Sequence, residues 1–155
     1  MKLRLVAVGE RMPGWVNAGF AEYAKRLADD IRLELVEVPA GKRMKTSDLA
    51  RVKEAEGERM LAVLRSDDRV VALDVCGKAH STASLAGELR RTLPEGRDIA
   101  LLVGGPDGLA DCALARAQER WSLSALTLPH PLVRIVVAEQ IYRCWSLLRG
   151  HPYHR

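Results

Sequence analysis

Apolar residues along the chain alternate between short continuous runs and longer stretches at helical spacing. Residues 3–8 are apolar and β-prone apart from Arg4, close on Gly9, and predict a first strand. Val16, Phe20, Tyr23, Ala24 and Leu27 then recur on one helical face. Ile31, Leu33, Leu35 and Val38 alternate mostly with charged residues, the pattern of a strand with one wetter face at a sheet edge, ended by Pro39-Ala40-Gly41. A second helix is predicted over Leu49, Val52, Ala55, Met60 and Val63, capped by Thr46 or Ser47. Residues 70–75 form an apolar run interrupted only by Asp74, as expected of a central strand covered on both faces.

A third helix begins at Ser81 or Thr82, carries Leu85, Leu89 and Leu93, and closes at Pro94 and Gly96. Residues 99–103 predict the next buried strand, 109–117 the next helix and 121–126 the last strand. Pro131 suits the first turn of a final helix over 132–148. The alternation, without internal repeat or long linker, predicts a single α/β domain over residues 1–155 with a mainly parallel sheet flanked by helices. The last helix is apolar nearly all round and must be covered on every side. Either the domain itself covers it or one face is a homodimer interface.

Composition narrows this picture only a little. A chain of 155 residues buries roughly 70% of its unfolded surface and needs no staples. The net charge of +4 has the sign that helps a protein find a polyanion such as nucleic acid. Cys76, Cys112 and Cys144 show no CxxC spacing, so neither a disulfide framework nor a zinc site is indicated, and reduced thiols fit a cytoplasmic protein. The opening apolar run is too short for a signal segment, and no stretch approaches the roughly 20 apolar residues a membrane span needs.

The candidate chemistry gathers where two strand ends meet a glycine loop. Gly104-Gly105-Pro106-Asp107-Gly108 lies between a strand and a helix, where backbone can approach a ligand closely; its alternative is a tight turn with no ligand. The loop lacks the Lys-Ser/Thr of a Walker loop and the spacing of a dinucleotide fingerprint, which disfavours ATPase and NAD-enzyme readings. The uncharged segment 122–129 suits a flat uncharged group such as adenine, or is a buried strand and bend. His130, between two prolines, is expected in extended backbone beside this pocket. The basic loop 42–46 is either a solvated turn or a phosphate contact. The tail 149–155, with Arg134 and Arg143 before it, combines the cationic and aromatic groups that phosphate pairing and base stacking require.

Several of these blocks carry a resemblance. The opening MKLRLVAVGERMPGWV, PAGKR at 39–43, LLVGGPDGL at 101–109, WSLSALTLPHPLVR at 121–134, AEQIYRCWS at 138–146 and HPYHR at 151–155 closely resemble the ribosomal RNA large subunit methyltransferase H family of SPOUT methyltransferases. The resemblance spans essentially the whole chain. It departs mainly in Cys76-Gly77-Lys78-Ala79-His80, where the family more often has Pro before the Gly and an aromatic residue near His80.

The resemblance implies transfer of a methyl group from S-adenosylmethionine to N3 of a pseudouridine in 23S rRNA of the assembled ribosome, a homodimer, and a C-terminal trefoil knot. Pattern reading alone leads to an ordinary doubly wound sheet, because true knots are rare. By resemblance the cofactor site comprises Leu73, Gly104, Leu123, Ser124, Ala125, Leu126, Thr127 and Leu128. His151 and Tyr153 fall to the RNA substrate, and His130, Arg143, His154 and Arg155 to catalysis, with the tail of one subunit completing the site of the other. An N3 nucleophile must lose a proton. Arg143 or Arg155 would stabilise the developing anion and His130 or His154 would accept the proton, with no metal required. The rivals are a non-catalytic ribosome-binding module and a nucleotidyl transferase or hydrolase.

Overall fold

A computed structural model describes residues 1–27 and 30–154. Five parallel strands lie in the order β2-β1-β4-β3-β5. They are β1 (Lys2–Val8), β2 (Arg32–Val38), β3 (Arg69–Ala79), β4 (Ile99–Val103) and β5 (Glu119–Ser122). The helices are α1 (Gly14–Ala24), α2 (Leu49–Ala62), α3 (Thr82–Thr92), α4 (Asp111–Arg116) and α5 (His130–Leu148). The alternating strand β2 is indeed an edge, and the apolar runs of β1, β3 and β4 are interior.

Each face of the sheet has its own core. On one face α5 packs between α1 and α3, and Val133, Val137 and Ile141 of α5 meet Leu5, Leu101 and Val71 of the strands. On the other face α2 lies against α4, and Met60, Leu109 and Ala113 cover Val6, Val70 and Leu102. Gly57, in the middle of α2, permits that contact. A β-carbon there would lie 2.6 Å from Ala110 Cβ and 2.7 Å from Cys112 Sγ. A mid-helix glycine costs about 1 kcal/mol relative to alanine, and this close approach is its return. The charge that interrupts β1 is also resolved: Arg4 is buried, paired with Asp68, and donates to the Val63 carbonyl at 2.9 Å.

Several sequence expectations are corrected. Asp48, not Thr46 or Ser47, caps α2 by accepting from the amides of Ala50 and Arg51, while Ser47 Oγ accepts from Met44 N within the preceding loop. The helix expected over 109–117 shrinks to α4, because Ala110, its N-cap, and Ala117, its C-cap, are both extended. β3 continues past residue 75 through a bulge, with Trp121 opposite both Leu73 and Lys78. Gly77 is required there, since a β-carbon would fall 2.7 Å from the Trp121 backbone.

The last strand ends at Ser122 instead of residue 126. Beyond it, Ser122 Oγ donates to the Ser124 carbonyl and Ser124 Oγ accepts from Leu126 N, so hydroxyls satisfy the backbone in place of a ladder. The extended conformation expected at His130 belongs to Pro129, the N-cap; His130 is the first residue of α5. α5 is largely covered within the chain, yet Leu132 is 40% exposed beside its N-terminus and Trp15 of α1 is 57% exposed. No helix among the described residues is long and apolar enough to cross a membrane.

Candidate functional site

The C-terminal ends of β3 and β4 open into a cavity of about 560 Å³, the size range of small-molecule sites. Its floor is the turn after β4. Gly108 N donates to the Gly105 carbonyl at 3.0 Å, with Pro106 at the first corner and Gly108 at φ 81°. Gly104 makes this turn possible: a β-carbon there would lie 2.4 Å from the Gly108 carbonyl carbon. One wall is the β3 bulge, through Leu73, Asp74 and Val75; the opposite wall is the loop 122–129, with His130 and Val133 of α5 at its end.

Of the residues assigned to a cofactor by resemblance, Leu73, Gly104, Leu123, Ser124, Leu126, Thr127 and Leu128 surround this one cavity. Ala125 is exposed and is not among its walls. Leu123 and Leu128 also pack on the core and anchor the loop at both ends, whereas Leu126 is 73% exposed at the lip. Sequence reasoning missed Asp74 and Val75, which the bulge turns into the cavity, and Asp107, which tips the turn. Gly77 was the available signal for the bulge.

His130 is held half-buried at the junction of this cavity with the end of β1. Its Nε2 is 3.5 Å from where a β-carbon of Gly9 would stand, and Gly9 at φ 111° is a position that favours glycine. One turn along α5, Arg134 is fully buried, donating to Glu37 at 2.7 Å and to the Gly9 carbonyl at 2.8 Å. Arg134 therefore clamps α5 to the ends of β1 and β2. It does not belong with the exposed cations that the sequence grouped with the tail. Burial, with Arg134 and Arg43 nearby, lowers the His130 pKa below its ordinary value and favours the neutral imidazole.

Arg143, His151, Tyr153 and His154 lie at the other end of α5. Arg143 comes 143 − 130 = 13 residues after His130, or about 20 Å along the helix. Arg143 Nε donates to Glu139 at 2.8 Å, its guanidinium lies 5.1 Å from the Tyr153 ring centre, and the Tyr153 hydroxyl reaches Glu139 at 3.3 Å. The Glu139 carboxylate raises the Arg143 pKa, and burial beside Tyr23 and Glu139 pushes the Tyr153 phenol up to about 12. Tyr142 stacks on Trp145 and meets Tyr153 in a tilted arrangement with ring centres 4.6 Å apart; His151 lies tilted at 6.5 Å from both Tyr142 and Trp145. His154 Nδ1 lies against the His151 carbonyl. Arg155 lies outside the described residues. Within one chain, then, His130 stands at the cavity and the other described candidates form a separate aromatic and cationic surface.

A family model described as "Predicted SPOUT methyltransferase" matches residues 1–154. The chain belongs to the SPOUT methyltransferase family. Among similar proteins, those named "Ribosomal RNA large subunit methyltransferase H" from Thioalkalivibrio sulfidiphilus and Alkalilimnicola ehrlichii are 60% and 61% identical over 155 residues, covering all of this chain and 99% of each relative. The protein of that name from Chromohalobacter salexigens is 59% identical over the full length of both chains. As a SPOUT methyltransferase, the chain places this cavity at the C-terminal strand ends, the usual ligand position in an open parallel sheet.

Proposed function

We propose that this protein methylates N3 of a pseudouridine in the 23S rRNA of the assembled ribosome, in the cytoplasm, using S-adenosylmethionine. The observation that carries the reading is the cavity at the ends of β3 and β4, walled by the uncharged loop 122–129, in a SPOUT methyltransferase about 60% identical to proteins named for large-subunit rRNA methylation. The residues fit this cofactor. Leu73, Leu123 and Leu128 offer apolar walls for a purine, and the loop and turn offer backbone amides and carbonyls. Asp74 puts an acidic group at the rim, compatible with a sulfonium. The bound cofactor supplies an electrophilic methyl group, so the chain's own task is to align a nucleophile and take its proton.

His130 fits the role of proton acceptor: it lines the cavity and its lowered pKa keeps it neutral at physiological pH. Arg143, oriented by Glu139, suits the stabilisation of a developing anion or a phosphate, with His151, Tyr153, His154 and Arg155 completing an RNA-binding surface. Because about 20 Å of helix separates Arg143 from His130, the reading requires a homodimer in which the tail of one copy reaches the cavity of the other. The exposed Trp15 and Leu132, on helices that pack together, supply an apolar patch for that association. The same reading takes the C-terminal part as a trefoil knot; the loop 122–129, which passes from edge strand β5 across the ends of β3 and β4, is consistent with it.

The test is transfer of labelled methyl to unmodified ribosomes and to naked 23S rRNA, with calorimetry of S-adenosylhomocysteine binding in parallel. Methylation of ribosomes at the pseudouridine, with micromolar or tighter binding, is expected. Binding of RNA without binding of S-adenosylhomocysteine would point to a non-catalytic module instead.

A further inference from the structure

A buried polar strut runs behind the glycine turn. Glu56 on α2 is 2% exposed. Its Oε1 accepts from Gly41 N at 3.0 Å and pairs with Arg43 Nη1 at 2.6 Å. Arg43 in turn donates through Nε to Asp107 Oδ2 at 2.8 Å, at the tip of the turn that floors the cavity. The remaining buried atoms, Glu56 Oε2 and Arg43 Nη2, have no hydrogen-bond partner among the described residues and face Gly105: a β-carbon there would lie 3.2 Å and 3.4 Å from them. The close contact at Gly57 is what brings this part of α2 up to the segment following the turn. Arg43 is thus tied into the fold instead of standing free in a solvated loop, although its neighbours Lys42 and Lys45 are exposed.

We propose that Glu56 and Arg43 are positioning residues for the cofactor, acting through Asp107 to set the height of the turn at residues 104–108. The inference rests on the proposed use of S-adenosylmethionine and adds the device that holds its loop. The chain of contacts runs from α2 through the loop between β2 and α2 into the cavity floor. A buried carboxylate with a paired guanidinium cannot relax cheaply, so the turn inherits its rigidity. Shortening or neutralising either end of the Arg43–Asp107 contact frees the turn without opening a cavity in the core, since Asp107 stands at the surface of the pocket.

The experiment compares wild type, Arg43→Lys, Asp107→Asn and the double variant by two readouts. One is hydrogen exchange at the Gly108 amide in the ligand-free protein; the other is the dissociation constant of S-adenosylhomocysteine, with KM and kcat for S-adenosylmethionine where turnover is measurable. Each single variant is expected to exchange Gly108 about tenfold faster and to bind about tenfold more weakly. The double variant should be no worse than the singles, because all three lose one shared contact. KM for S-adenosylmethionine should rise in both single variants. Exchange and affinity within twofold of wild type in both singles would overturn the proposal, as would losses that multiply in the double variant. A wild-type protein that binds no S-adenosylhomocysteine would defeat the functional reading and with it the cofactor role of the strut, and the exchange readout would still decide whether the contact holds the turn.

Discussion

The two ends of α5 are built on opposite physical terms. At the N-terminal end, Arg134 is wholly buried, His130 is half-buried with a lowered pKa, and the neighbouring loop has uncharged walls. At the C-terminal end, Arg143 stays charged and partly exposed against Glu139 and the Tyr153 ring. The first arrangement encloses a small ligand against largely apolar walls; the second presents cations and aromatic faces to a larger anionic partner. On the proposed function one helix carries two half-sites that it cannot bring together by itself, which is why that reading calls on a second copy.

The comparison can be broken from either end. The largest effect is expected at His130. As the proposed proton acceptor, His130→Ala should lower single-turnover methylation by about a hundredfold to ten-thousandfold while leaving RNA affinity unchanged, as gel-shift titration would show. Gly104→Ala comes next. With a β-carbon 2.4 Å from the Gly108 carbonyl carbon the turn must move, and calorimetry should show cofactor affinity reduced about a hundredfold with RNA binding retained. The opposite signature belongs to Arg143→Ala: RNA affinity down about tenfold, a salt dependence shallower by about one, and cofactor affinity intact.

A smaller effect sharpens the assignment of the base. The rate should fall as pH drops through the lowered His130 pKa, with a midpoint under the ordinary value of 6.5, and this limb should vanish in His130→Ala. The sign for folding follows from the same shift. The contribution of His130 to stability is fully present above 6.5 and is lost as pH falls through the lower folded-state value, because the unfolded chain takes up the proton first. Urea melts of wild type and His130→Ala between pH 5 and pH 8 would measure it.

Much of the scaffold was legible in the sequence because burial leaves a pattern. The wholly apolar 99–103 became the buried strand β4, and the alternation over 31–38 became edge strand β2. What escaped depends on side chains finding partners far along the chain. Serine hydroxyls at 122 and 124 ended β5 early, although Leu123 and Leu126 prolong its apolar pattern. Arg134 reads in the sequence as one more cation leading to the basic tail, and only its pairing with Glu37, 97 residues away in the chain, explains its burial. The strut through Glu56, Arg43 and Asp107 joins three segments with no shared periodicity. The cavity was legible at its glycine turn and at 122–128, where strand ends and uncharged residues coincide. Its third wall was hidden, because a four-residue bulge in β3 leaves little trace beyond Gly77.

The claim that one copy's cavity works with the other copy's tail is tested most directly by complementation. His130→Ala and Arg143→Ala chains, each impaired alone when ribosomes are subsaturating, would be co-expressed with different affinity tags and the mixed dimer purified through both. The mixed dimer then holds one doubly impaired site and one intact site, and the account predicts methylation of ribosomes at about half the wild-type rate per dimer. A mixed dimer no more active than its Arg143→Ala parent would place both residues in the service of a single chain and contradict the account.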